Sequence, residues 1–378
     1  MKEVYKKSLD LHAKFKGKIE LKSKVPLKDK KDLSLAYTPG VGQVSVEIGK
    51  NKKLAKKYTI KNNTVAVVSD GSAILGLGNL GPEAAIPVME GKAVLFKQFG
   101  GVDAFPICLD TQDTEEIIRT VKLLAPVFGG INLEDISAPR CFEIEKRLIK
   151  ELDIPVMHDD QKGTATVVLA ALINALKIKK LDKTKARVVI NGAGAAGVSV
   201  ADLIIEYGVR DIIMCDSHGV IHKSRTDLNG EKKRLAKITN IRGVKGELAD
   251  AMKGADVFIG VSKANTVTPD MVRSMAQKPV ILAMANPVPE IMPDEALKAG
   301  AYIVGTGRSD FPNQVNNVLV FPGVFRGALD NNVKKITSKM LVKAAQNLAG
   351  CVTKPNPNQI LPSIFDKKVL PAIVKAIK

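Results

Sequence analysis

Two pairs of adjacent carboxylates could act together. Glu134-Asp135 closes the strand-like FGGINL, and Asp159-Asp160 closes the strand-like IPVMH. Neighbouring side chains on an extended strand point to opposite faces, so both acids serve one site only where the backbone turns, at the strand's end. Carboxyl ends of parallel strands are also where α/β proteins place their ligands. An all-oxygen set from two such ends suits a hard divalent ion, Mg²⁺ or Mn²⁺, rather than zinc. Each pair alone has a plainer reading: Asp160 could cap a helix beginning near Gly163, and Glu134 or Asp135 the next one. Lys92 joins the candidates because it lies in a largely apolar helical stretch, 86–96, where a charge needs a reason.

A third constellation lies downstream. The run RVVIN (187–191) reads as a buried strand, and Gly192-Ala193-Gly194-Ala195-Ala196-Gly197 follows at once. A helical run over 198–207 and a second strand over 211–215, ending at Asp216, complete a dinucleotide-binding unit. Gly192 permits the tight turn, Gly194 lets a pyrophosphate approach the backbone, and Gly197 lets helix and strand pack closely. The helix N-terminus, at Ala195 and Ala196, supplies amide donors and positive potential. Asp216, about 20 residues on, is placed to hydrogen-bond a ribose hydroxyl pair, which favours NAD. Ser217, His218, Lys223 and Arg225 follow closely, so a basic side chain could reach round to the 2′-phosphate of NADP.

Parallel sheets flanked by helices can position these groups. Strand-like runs at 64–69, 104–109, 130–133, 154–157, 187–191, 211–215, 257–261, 280–285 and 302–304 alternate with amphipathic stretches at 115–124, 140–152, 165–176 and 198–207. The expected fold is α/β: a Rossmann-type doubly wound parallel sheet domain plus a second α/β domain for substrate. A boundary near 153–158 divides the chain into 1–155 and 156–378. Pro355, Pro357 and Pro362 break the tail before a final helix near 364–377.

The 378 residues are 45% hydrophobic and 25% charged, which is ordinary for a globular protein of about two domains. No apolar run of about 18 residues indicates a membrane span. The charged N-terminus lacks a secretory signal, and Cys108, Cys141, Cys215 and Cys351 fit no zinc spacing. A cytoplasmic protein with reduced thiols is expected. The net charge of +18 raises nucleic acid as a partner, but the lysines are spread along the chain and there is no Trp, so solvated basic faces are the expectation.

The blocks Tyr37-Thr-Pro-Gly-Val-Gly42, Leu75-Gly-Leu-Gly-Asn-Leu-Gly81, Gly91-Lys92, Leu133-Glu-Asp135, His158-Asp-Asp-Gln-Lys-Gly-Thr164 and Gln314-Val-Asn-Asn-Val-Leu-Val-Phe-Pro-Gly323 resemble, in order, the signature blocks of malic enzymes. The resemblance covers essentially the whole chain and is nearest to the short bacterial form. It implies oxidative decarboxylation of (S)-malate to pyruvate and CO₂ with reduction of NAD or NADP. It also implies Glu134, Asp135 and Asp160 as ligands of Mg²⁺ or Mn²⁺, Lys92 as base for the C2 hydroxyl, and Tyr37 as the acid that protonates C3. Asp159 would orient and tune Lys92, while Asn286 and Asn317 would hold the malate carboxylates; Asn286 would also face the cofactor. A homodimer is implied as well. A base at Lys92 requires a lowered pKa, from burial and a bound cation, whereas Asp159 pushes it up.

One departure stands out. Longer malic enzymes carry a substrate-binding arginine where this chain has Ala73, so Ser72, Asn79 or Arg308 is expected to help neutralise a carboxylate. Two rival readings follow: an oxaloacetate decarboxylase of the same family without net redox, and a non-catalytic dinucleotide sensor or nucleic-acid-binding protein.

Overall fold

The computed structural model describes residues 2–378. Its first sheet has four parallel strands in the order Asp103–Cys108, Thr64–Ser69, Gly130–Leu133, Val156–His158. The central TVAVVS strand is buried throughout, as β-branched runs covered on both faces of a parallel sheet should be. The second sheet runs Ile303–Thr306, Val280–Ala283, Val257–Gly260, Arg187–Asn191, Asp211–Asp216, Gly219–Val220. Its strand order reverses between Arg187–Asn191 and Val257–Gly260, the crevice where doubly wound sheets hold ligands.

All nine expected strands are present, within one or two residues at their ends. The tenth, Gly219–Val220, pairs antiparallel with Cys215 and Asp216. It departs from the all-parallel expectation, and two residues are too short to show any periodicity. The expected division at 155/156 cuts through the first sheet, because Val156–His158 hydrogen-bonds to Gly130–Leu133.

The helix Asp159–Lys179 begins directly after that strand, several residues earlier than its apolar pattern suggests. Two aspartates in its first turn suit the positive helix N-terminus. Its later turns, rich in Ala, Val and Leu, are buried on nearly all sides, so this helix is a shared spine between the sheets.

The helix Pro82–Gly100 buries Ala85, Met89, Lys92, Ala93, Phe96 and Gly100, spacings of three and four that place Lys92 on the core-facing stripe. The helix Phe321–Asp330 packs on it, with Phe96 4.7 Å from Phe321 and 5.4 Å from Phe325 between ring centroids. Residues far along the chain therefore complete the core beneath Lys92. The last helix is Val369–Val374, shorter than expected, with Pro371 near its start. Among the described residues, no helix is long and apolar enough to cross a membrane.

Candidate active site

A cleft of about 1090 Å³ lies between the sheets, and Lys92, Glu134, Asp135, Asp160, Ala196, Asn286 and Asn317 line it. Glu134 and Asp135 follow the strand Gly130–Leu133, and Asp135 has φ +54°, the left-handed turn that lets two adjacent acids share a site. Asp160 meets them from the first turn of the spine helix, where its Oδ2 accepts the Asp135 N–H at 2.8 Å. One carboxylate oxygen from each of Glu134, Asp135 and Asp160 falls within a set spanning at most 4.8 Å. The capping alternative fails: His158 and Pro139 occupy the two N-cap positions.

Lys92 Nζ sits 2.7 Å from Asp159, 2.8 Å from Glu134 and 4.3 Å from the centroid of the Phe321 ring. Burial disfavours its charge, but Asp159 and Glu134 outweigh that and hold the ammonium well above the usual lysine range. The acids show the opposite strain. Burial pushes Glu134 up to about 7, against the pull of Lys92. Burial, with Asp160 and Glu134 close by, pushes Asp135 up to about 9. Burial likewise raises Asp159 to about 7 and Asp160 in the same direction. Asp135 Oδ2 is buried with no hydrogen-bond partner, as are Asp159 Oδ1 and Asn132 Oδ1. Crowded, partly orphaned carboxylate oxygens of this kind fit a hard divalent cation.

Several supporting residues escaped the sequence. Asn132 donates to Glu134 at 2.8 Å. Gly163 leaves room for Asp159, since a Cβ there would fall 1.7 Å from its Oδ1. Asn317, named from the sequence, lies beside Asp159 and lines the cleft. Of the groups suggested in place of the missing arginine, Ser72 donates to Asp70, Asn79 accepts from Gln112, and Arg308 pairs with Asp310; none lines the cleft. The cleft's other cations are Lys18, whose Nζ donates to Pro87 O, and Lys263. Tyr37 follows the helix Lys30–Ala36, is 67% exposed and lies outside the cleft lining of its own chain.

The glycine-rich turn has the expected form. Gly192 has φ +118°, a Cβ at Gly197 would fall 1.8 Å from Gly192 O, and one at Gly194 would meet nothing within 4 Å. The helix Ala195–Tyr207 starts there. Asp216 stands at the end of the next strand, but its carboxylate is engaged: Arg225 reaches it at 2.7 and 3.2 Å, and Lys232 at 2.6 Å. Burial opposes its charge, yet these donors hold it below the ordinary carboxylate range. Arg225 therefore turns toward Asp216, and Lys232, which the sequence did not single out, joins it.

Two family descriptions match the chain: the malic enzyme N-terminal domain over residues 16–149 and the malic enzyme NAD binding domain over residues 161–375. The chain is 56% identical over 373 residues to the bifunctional malic/malolactic enzyme of Bacillus subtilis, covering 98% of this chain and 91% of that one. It is also 56% identical to the NAD-dependent malic enzyme of Geobacillus stearothermophilus, covering 96% and 76%. Its fold matches the crystal structure of the NAD-dependent malic enzyme of Thermotoga maritima with a TM-score of 0.95 at 49% identity, covering 98% of both chains. With the acid cluster, the buried lysine and the dinucleotide turn in one cleft, this chain belongs to the malic enzyme family.

Proposed function

We propose that the protein oxidises (S)-malate at C2 with a nicotinamide dinucleotide and releases C4 as CO₂, leaving pyruvate. The observation that carries this is the meeting of Glu134, Asp135 and Asp160 beside Lys92 in the cleft that the Gly192–Gly197 turn also borders. Those three carboxylates would hold Mg²⁺ or Mn²⁺, which supplies Lewis acidity at the C2 oxygen and positive charge that lowers the proton affinity of Lys92.

The chain's own groups divide the rest. With a dinucleotide bound as hydride acceptor for C2, Lys92 would take the C2 hydroxyl proton. Asp159 and the Phe321 ring fix its Nζ, so the proton acceptor has one position. Asn286 and Asn317, which both line the cleft, would hold the substrate carboxylates. Tyr37 lies outside the cleft of its own chain, so it would return a proton to C3 after CO₂ leaves only in a site completed by a second copy of the chain. Gly192, Gly194 and Gly197, with the amides of Ala195 and Ala196, bind the pyrophosphate, and Asp216 reads the ribose, with NAD preferred and NADP tolerated.

Leu33, Leu35, Tyr37, Val41 and Val46 are all exposed apolar or aromatic side chains on one N-terminal layer. Their exposure supports a homodimer that covers this layer, for which sedimentation should give twice the 40.6 kDa chain mass. The four free thiols suit a cytoplasmic setting. The test of function is malate-dependent reduction of NAD and NADP with and without Mn²⁺. Cofactor reduction with stoichiometric pyruvate is expected. Pyruvate from oxaloacetate without any malate-dependent reduction would replace this reading with the decarboxylase.

A further inference from the structure

One buried carboxylate has no part in the chemistry above. Glu290 is 0% exposed and lies behind the carboxyl ends of the second sheet, on the loop after Asn286. Its Oε1 accepts the Ser262 N–H at 2.9 Å and the Ser262 hydroxyl at 3.4 Å, and its Oε2 accepts the Ala285 N–H at 3.0 Å. Its own carbonyl accepts the Val267 N–H at 3.0 Å. The strand Val257–Gly260 makes room: a Cβ on Gly260 would fall 2.3 Å from Glu290 Cδ. On its far side, Ser262 Oγ accepts from Asn191 Nδ2 at 2.9 Å.

This network ties together the ends of Arg187–Asn191 and Val257–Gly260, the two strands at the reversal in sheet order, and of Val280–Ala283 beside them. The two loops it fixes both face the cleft: Ser262 and Lys263 on one, Ala285 and Asn286 on the other. Asn286 in turn packs against Gly76 of the first domain and Gly307 of the second. In a doubly wound fold the first half grips the adenosine side of a dinucleotide, and the strands beyond the reversal meet its other end. The loops that Glu290 holds would therefore meet the nicotinamide end of a bound dinucleotide.

We propose that Glu290 is a positioning residue for the nicotinamide, a buried carboxylate that uses both oxygens to set the Ser262 and Ala285–Asn286 loops at the spacing hydride transfer needs. This rests on the malate-oxidising reading. Glutamine keeps the shape of glutamate but turns one acceptor oxygen into a donor, placed against an N–H that is itself a donor. One loop must then move, while the acid cluster on the first sheet is untouched.

The experiment compares wild type, Glu290→Gln, Glu290→Asp and Ser262→Ala in two reactions with Mn²⁺: malate-dependent NAD reduction, and decarboxylation of added oxaloacetate, which transfers no hydride. Glu290→Gln should raise both the NAD KM and the equilibrium Kd for NAD, titrated without malate, about tenfold and enlarge the isotope effect from C2-deuterated malate, while oxaloacetate decarboxylation falls less than about threefold. Glu290→Asp should recover part of the loss. Ser262→Ala, which keeps the backbone donor, should show the same split on a scale of about threefold and guards against a glutamine variant that does not fold. Equal losses in both reactions, or an unchanged NAD KM in Glu290→Gln and Ser262→Ala, overturn the role of Glu290. Wild type that reduces no cofactor with malate overturns instead the reading on which it rests.

Discussion

Acids and cations of the same types gather at the carboxyl ends of both sheets, and their balance differs. At the first sheet a single ammonium, Lys92, faces the buried Glu134, Asp135 and Asp159 and the half-buried Asp160. Every one of those acids is driven upward, and two of their oxygens, Asp135 Oδ2 and Asp159 Oδ1, lack partners. At the second sheet Asp216 and Asp227 face Arg225 and Lys232, and both acids are driven downward. The first cluster lacks positive charge and is built to receive it. The second is neutral within itself, so a ligand there must compete with bonds already made. Buried carboxylates signal a ligand by what they leave unsatisfied, not by being buried.

The largest effect should come from removing the one cation of the first cluster. Lys92→Ala should lower malate oxidation by about 10³-fold or more, since it removes the base and leaves the acids uncompensated. Equilibrium binding of NAD should stay close to wild type, because the glycine turn lies on the other sheet. Near-normal turnover would remove Lys92 from the chemistry and with it the contrast between the clusters.

The next effect is on stability. Unfolded carboxyls titrate near ~4, whereas Glu134 and Asp159 do so at about 7 and Asp135 at about 9 in the fold. Between those limits the native state binds more protons than the unfolded chain, so stability must fall as pH rises. Metal-free protein should therefore melt at a lower temperature at pH 9 than at pH 5. Mn²⁺ should restore more at the alkaline end, by about 2.7 kcal/mol when present at a hundred times its Kd. A melting temperature that climbs with pH and ignores Mn²⁺ would show that the acids are satisfied without a cation.

Legibility followed the range of each interaction. Buried strands such as Thr64–Ser69 declare themselves in a few consecutive residues, and so does the glycine turn with the strand before it and the acid after it. Acid pairs at strand ends were visible for the same reason. The start of the spine helix was not, because its first turn is polar and faces the cleft, while its apolar pattern begins later. Lys18 and Lys232 were lost among 57 basic residues, since each matters through a side chain that crosses to another element. Glu290 is harder still: its partners are backbone amides, one of them 28 residues away, and no residue type marks them. Tyr37 shows the reverse case, a residue marked by its neighbours in sequence whose surroundings in a single chain do not reach the cleft.

The smallest effect concerns the second cluster and sharpens what its neutrality means. Asp216 gives both oxygens to Arg225 and Lys232 and accepts the His218 N–H at 2.9 Å as well, so a ribose hydroxyl pair must share an occupied carboxylate. Its contribution to NAD binding is then modest. Asp216→Ala should raise the NAD KM by about tenfold and no more. The same change frees Lys232 and leaves Arg225 with Asp227 alone at the place where a 2′-phosphate would sit, and guanidinium and ammonium groups bind phosphate well. NADP should therefore gain relative to NAD by more than NAD loses, read as the ratio of the two kcat/KM values. Adding Lys232→Ala should return that ratio toward wild type. A ratio unmoved by Asp216→Ala would mean that Arg225 and Lys232 hold the strand end together and take no part in choosing the cofactor.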